Sequence, residues 1–384
     1  MRAPLDDEIR LTDLRRRTSQ KWTRYPQDVL PLFVAESDFP APPNVARALR
    51  EAIDNGDFGY AEPHGLGQAF AGFARERFGS APEPEDVFAV PEVMVGVAEI
   101  LRAIADESDR VVINPPVYPP FFHTLEEVGV HTETVELCRD GEKYDLAFDA
   151  LERAFANGVR AYLFCNPHNP VGRVFEERDL RRIAELAREY DVVVIADEIH
   201  APLVLPGAAH VPFDRIARET GVRAFTMTSA SKGWNIAGLK CALAIASGDW
   251  SREVLRSLPE DMPERAGNLG VIATKAAFSH DVPYLDRVVS HLDVMRRFLR
   301  ETLDANGLSA IGYAPPQAGY LAWLDCRELH LDAEPARVFY KRGNVALNPG
   351  TKFGQPGHGF VRLNFGTSSE IVEEAVRRMA SAIA

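Results

Sequence analysis

Apolar, β-branched runs of strand length recur through the middle of the chain. They stand at 110–114 (RVVIN), 161–166 (AYLFCN), 191–197 (DVVVIAD), 224–229 (AFTMTS) and 241–246 (CALAIA). Amphipathic stretches intervene, such as 177–190 (ERDLRRIAELAREY), whose apolar residues fall at helical spacing. Strands with no polar face must be covered on both sides. The pattern therefore predicts an α/β core around a mostly parallel sheet. A long amphipathic segment at 284–306 then leaves that core, and shorter strand signals follow at 319–325 (GYLAWLD) and 360–366 (FVRLNFG). Thr367 and Glu370 have the spacing of a capping box that opens a final helix. At 384 residues the chain exceeds a typical single domain. We expect a large domain at 45–290 and a smaller one formed by 1–44 together with 291–384.

Composition excludes several classes. With 46% hydrophobic and 26% charged residues and no unbroken apolar run of membrane length, a spanning helix is not expected. The first twenty residues carry no apolar signal segment, and Cys138, Cys165, Cys241 and Cys326 lie far apart without metal-binding spacing. Reduced thiols in a cytoplasmic protein, with no bound metal, are the expectation. A net charge of −13 argues against nucleic-acid binding, since basic residues cluster only at Arg15, Arg16 and Arg17.

Ligands of open parallel sheets bind at the carboxyl ends of the strands. The polar residues there are Asn114 to Tyr118 (NPPVY), Asn166 to Gly172 (NPHNPVG), Asp197 to His200 (DEIH), and Ser229 to Lys240 (SASKGWNIAGLK). In the last of these Lys232 sits between two apolar strand runs behind two serines, with Lys240 eight positions on. One reading is a polar loop whose lysines reach water. The other is a covalent site, in which a lysine forms an imine while hydroxyls and a second cation hold a phosphate. Asp197 ends a buried strand, where it caps a helix, joins a structural ion pair, or faces a ring N–H⁺. His200 falls on the next turn. Asn169 belongs to a proline turn but can donate its amide to a phenolate oxygen, and Tyr118 offers a face for stacking. Val95 and Gly96 precede the helical run AEILRAIADE, where amides could meet a phosphate. Gly65-Leu66-Gly67 lacks the third glycine and the preceding strand of a dinucleotide loop, so that motif is set aside. Arg362 interrupts an apolar strand and needs a carboxylate, from the protein or from a ligand.

Taken in order, Gly59-Tyr60, PPVYPPF, NPHNPVG, DEIH, SASKGWN and RLNFG resemble the pyridoxal-phosphate enzymes of the aspartate-aminotransferase fold, fold type I. WTRYP at 22–26, VAESDFP at 34–40, DEIHAPL and LNPGTKFG resemble more narrowly the bacterial cystathionine β-lyase-like C–S lyases. The resemblance implies a seven-stranded, mostly parallel sheet in the large domain and a smaller α+β domain. It implies pyridoxal 5′-phosphate on Lys232, with Asp197 keeping the ring nitrogen protonated, Asn169 and His200 near the phenolic oxygen, and Tyr118 stacked on the ring. Ser229, Ser231, Lys240, Val95 and Gly96 would hold the phosphate. Arg362, with Asn169 and Tyr118, would bind the substrate amino acid. Tyr60 would reach the phosphate of a neighbouring subunit, which implies a homodimer with shared sites. On this reading both Lys232 and Lys240 can be buried. Lys240 departs from the arginine of many transaminases, and Pro170-Val171-Gly172 replaces the commoner Pro-Thr-Gly.

The implied reaction is β-elimination from an L-cysteine S-conjugate, giving thiol, pyruvate and ammonia. An aminotransferase would use the same residues. A regulatory module that senses the cofactor would carry a DNA-binding domain ahead of the core, and no helix-turn-helix pattern precedes it here.

Overall fold

The protein is described from a computed structural model over residues 3–279 and 283–384. Seven strands form the central sheet: β1 (Val87–Val90), β2 (Arg110–Ile113), β3 (His131–Thr134), β4 (Ala161–Cys165), β5 (Val193–Asp197), β6 (Ala224–Thr228) and β7 (Ala242–Ala246). Their order across the sheet is β1-β7-β6-β5-β4-β2-β3, and only β7 runs against the others. The mostly parallel sheet is as expected. β4, β5, β6 and β7 are buried along their whole length, which is why their sequences show no alternation. Helices cover both faces through matched stripes. Glu177–Glu189, for example, buries Leu180, Ile183, Ala184, Leu186 and Ala187.

The helix Pro283–Ala305 carries a buried seam of Leu285, Val288, Leu292, Met295, Leu299 and Leu303. Beyond it β8 (Leu321–Asp325), β9 (Asn348–Pro349) and β10 (Phe360–Asn364) form an antiparallel sheet in the order β8-β10-β9. The amino-terminal segment joins this part of the molecule. Leu30–Pro31 pairs in parallel with Val345–Ala346, and the Asn364 amide donates to the Leu32 carbonyl at 2.9 Å.

The final helix, Ser369–Ile383, begins one residue later than the capping box requires. Ser368 caps it, its hydroxyl accepting the Ile371 N–H at 3.4 Å. Thr367 instead leaves its buried hydroxyl without a partner, while its carbonyl meets His291 Nε2 at 2.9 Å.

Candidate active site

The parallel strands deliver their polar ends to one edge. Asn114 follows β2, Asn169 lies in the turn after β4, Asp197 closes β5, and Ser229 follows β6. Because β7 runs the other way, its amino end brings Lys240 and Cys241 to the same edge. Between them lies a cavity of about 140 Å³ lined by Tyr118, Asn169, Asp197, His200, Ser229, Ser231, Lys232 and Lys240. A wider cavity of about 730 Å³ opens beyond it. The two share Ala35, Tyr118 and Lys232, and Arg362 stands on the wall of the wider one.

Lys232 is half-buried and donates from Nζ to the Ala35 carbonyl at 3.0 Å. Burial, reinforced by the Arg362 guanidinium, pushes its pKa down to about 8. Asp197 is buried and accepts the Ile199 N–H at 3.1 Å. Burial lifts its carboxyl to about 7, against that hydrogen bond and the nearby Lys232. Among the described residues it forms no ion pair within 4.0 Å, so the structural-pair alternative fails and a ring N–H⁺ would restore its charge. His200 is buried with Nδ1 unpartnered, and burial pushes it down to about 3, so the imidazole is neutral.

Arg362 is 3% exposed, yet among the described residues no carboxylate pairs with it. It donates to the Phe33 carbonyl and to Asn169 Oδ1, both at 3.1 Å, and its Nε has no partner. Burial pulls it down to about 10. Since a guanidinium can only donate, the Asn169 oxygen must face it, which leaves the Asn169 N–H₂ available as a donor. Tyr118 is half-buried, and burial raises its phenol.

The phosphate-end expectations change at several residues. The helix Val93–Ile104 starts before Val95, and its first internally bonded amide is that of Gly96, given to the Glu92 carbonyl at 3.0 Å. Gly96 is therefore unavailable to an anion. An added Cβ there would lie 2.5 Å from Met227 Cε and 3.1 Å from Val90 Cγ2, so the glycine stands at a closely packed point. Val95 keeps a free first-turn amide but is absent from the cavity wall, which Val93 and Met94 line instead. Lys240 is not buried: its side chain is 55% exposed and its ammonium pairs with Glu92. Ser229 lines the cavity but donates its hydroxyl to the Cys241 carbonyl at 2.8 Å and accepts the Ser231 N–H at 3.1 Å, so it orders the loop around Ser231. Tyr60 is 88% exposed and lies outside the wall of either cavity.

Other participants escaped the motif reading. The Ala35 carbonyl takes hydrogen bonds from both Lys232 and Tyr320, each at 3.0 Å. The stretch around it is clamped by Asn364, whose Nδ2 meets the Val34 and Glu36 carbonyls at 2.7 Å, and by a fully buried pair, Lys21 and Asp38, at 2.8 Å. A backbone carbonyl leaves no trace in side-chain patterns. The available signal was VAESDFP, in which Glu36 and Asp38 interrupt an apolar run.

This arrangement fits pyridoxal 5′-phosphate by its own unsatisfied groups. A carboxylate without a cation, an imidazole without a partner and an amide N–H₂ without an acceptor surround one lysine. A half-buried lysine facing a buried aspartate across the carboxyl edge of a mostly parallel sheet is the arrangement expected of a pyridoxal-phosphate enzyme of fold type I. The comparisons agree. The chain matches the model of the aminotransferase class I and II family over residues 27–379. It is 37% identical to the cystathionine beta-lyase of Corynebacterium glutamicum, over 97% of this chain and 99% of that one. It is 34% identical to the cystathionine beta-lyase PatB of Bacillus subtilis over 93% of each chain. The PLP-bound C-S lyase from Staphylococcus hominis superposes with a TM-score of 0.91 at 26% identity, over 99% of this chain and 98% of that one. The chain belongs to the aminotransferase class I and II family, in its cystathionine beta-lyase-like subgroup.

Proposed function

We propose that the protein is a carbon–sulfur β-lyase acting on an L-cysteine S-conjugate. The observation that carries the amino-acid substrate is Arg362, a buried cation with no carboxylate, on the wall of a cavity that also holds Lys232. The end-to-end likeness to proteins named as cystathionine beta-lyases supports elimination over amino transfer.

The residues divide the work as follows. Arg362 grips the α-carboxylate through its two-pronged face, with Asn169 beside it. Lys232, with a pKa close to neutral pH, takes the proton from Cα. Asp197 would keep the ring nitrogen protonated, and His200 and Asn169 would contact the phenolic oxygen of the bound cofactor. Bound there, pyridoxal 5′-phosphate supplies the sink for the electron pair left on Cα. The Cβ–S bond then breaks with its electron pair on sulfur, releasing thiolate. The remaining three-carbon skeleton takes up water and leaves as pyruvate and ammonia.

Lys240 and Ser231, with the amides of Val93 and Met94, make up the phosphate end. We assign Tyr60 to the site of a second copy of the chain, completing a homodimer. It is exposed together with Phe58 (64%) and Ile53 (54%), an apolar group that a partner would cover. The division into 45–290 and 1–44 with 291–384 is part of the same proposal.

Incubating holoenzyme with L-cystathionine in the absence of any keto acid tests the reading. Catalytic release of pyruvate and free thiol is expected. Product that appears only when a keto acid is supplied would make the enzyme an aminotransferase instead.

A further inference from the structure

The wider cavity is far larger than the α-carboxylate and reacting atoms of a cysteine require, and its charge is one-sided. Its wall holds Lys232, Arg362, Arg24 and Lys352 and, among the described residues, not one aspartate or glutamate. The chain as a whole has 56 acidic against 43 basic residues, so this wall departs from the composition around it. Arg24 and Lys352 are exposed, and among the described residues neither forms an ion pair or a side-chain hydrogen bond. Arg218 and Arg327, also exposed, each hold a carboxylate within 3.0 Å. Cations that gather on one concave wall without counter-charge raise the local concentration of anions.

The ledger of charges then points outward from the reacting centre. An α-carboxylate satisfies Arg362, and Lys232 serves as the base. Arg24 and Lys352 are left on the wall of the wider cavity that opens beyond Lys232, which Gln20 and Thr351 also line. We propose that Arg24 and Lys352 form a subsite for an anionic group on the departing thiol, so that the preferred substrates are cysteine conjugates of mercapto-acids. This rests on the C–S lyase reading. A cationic substituent has no acidic side chain to meet in this cavity, and a neutral one gains nothing from the two cations.

The test compares near-isosteric conjugates on the holoenzyme: S-(2-carboxyethyl)-L-cysteine, its carboxamide S-(2-carbamoylethyl)-L-cysteine, and S-(3-aminopropyl)-L-cysteine. Pyruvate release should rank them in that order, with kcat/KM about tenfold higher for the acid than for the amide, as two exposed ion pairs contribute. The double change Arg24→Glu with Lys352→Glu should reverse the acid-to-amide ratio, and Arg24→Gln alone should lower it about threefold. Equal rates for acid and amide, or a ratio indifferent to both variants, overturns the proposal. If no conjugate releases pyruvate, S-methyl-L-cysteine included, the lyase reading itself fails. The subsite is then judged by calorimetry with L-2-aminopimelate, in which a methylene replaces sulfur. Binding about tenfold tighter than that of its side-chain amide, abolished in the double variant, upholds the subsite. Equal binding of the two rejects it.

Discussion

Two buried cations on either side of one backbone stretch have opposite surroundings. Lys21 has a fully enclosed side chain and meets Asp38 at 2.8 Å, the Glu36 carbonyl at 3.0 Å, and nothing unsatisfied. Asp38 is completed by Trp22 Nε1 at 3.1 Å. Arg362 is almost as enclosed, at 3% exposure, but meets only the Phe33 carbonyl and the Asn169 amide oxygen, with Nε bare. Residues 33–38 link the two, giving carbonyls to Arg362 at one end and to Lys21 at the other. A buried charge without its counter-charge is costly unless something else supplies it. The first cation is neutralised within the protein; the second, on the proposed reading, is left for a ligand's carboxylate.

Substitutions can break or sharpen that contrast. The largest effect belongs to Lys232→Ala, which should lower pyruvate release by at least roughly 10²–10⁴-fold, the contribution of a general base. Neither Lys21 nor Lys240 can replace it, one being locked to Asp38 and the other paired with Glu92. Lys21→Ala strands the Asp38 carboxylate and should cost about 3–5 kcal/mol of stability in urea unfolding. Arg362→Leu strands no counter-ion. It should unfold near the parent midpoint while substrate binding weakens by about 2–5 kcal/mol, seen in KM and kcat/KM. If it unfolds as early as Lys21→Ala, the two cations are alike and the contrast is wrong.

A smaller effect follows from Asp197, whose carboxyl rises from 3.8 to about 7 on burial. The folded apoprotein binds that proton more tightly than the unfolded chain. Its stabilising contribution is complete below about pH 4 and is lost as pH rises through 7. Lys232, lowered from 10.5 to about 8, is protonated in both states across that window and adds no slope there. Apoprotein carrying Asp197→Asn should therefore lack a decline of a few kcal/mol that the parent shows between these limits, measured by unfolding at each pH. Smallest is Tyr60→Phe, the loss of one hydrogen bond of about 1 kcal/mol, which should loosen cofactor retention in a dimer. A sedimenting monomer with full activity would remove Tyr60 from the site.

The sequence was most legible where burial is complete on both faces. β4, β5, β6 and β7 announce themselves as unbroken apolar runs because no side of them meets water. The edges were not legible. β3 is His-Thr-Glu-Thr, largely exposed, and β1 is four residues long, so neither shows a period. Within the site, Asp197, Lys232, Asn169, His200 and Tyr118 were readable because chemistry sits in their side chains. The Ala35 carbonyl and the first-turn amides of Val93 and Met94 belong to the backbone, and any residue type could have supplied them. Gly96 misled for a related reason: a small residue that admits a neighbouring strand and one that admits a phosphate look the same in sequence.

The most direct test asks which lysine carries the chemistry. The holoenzyme is reduced with borohydride, digested, and its peptides are mapped by mass. The pyridoxyl adduct should fall on Lys232, the lysine that lines both cavities and whose hydrogen-bond partner among the described residues is the Ala35 carbonyl. An adduct on Lys240 or on Lys21 would contradict the account, because it would place the reacting nitrogen on a cation already held by Glu92 or by Asp38.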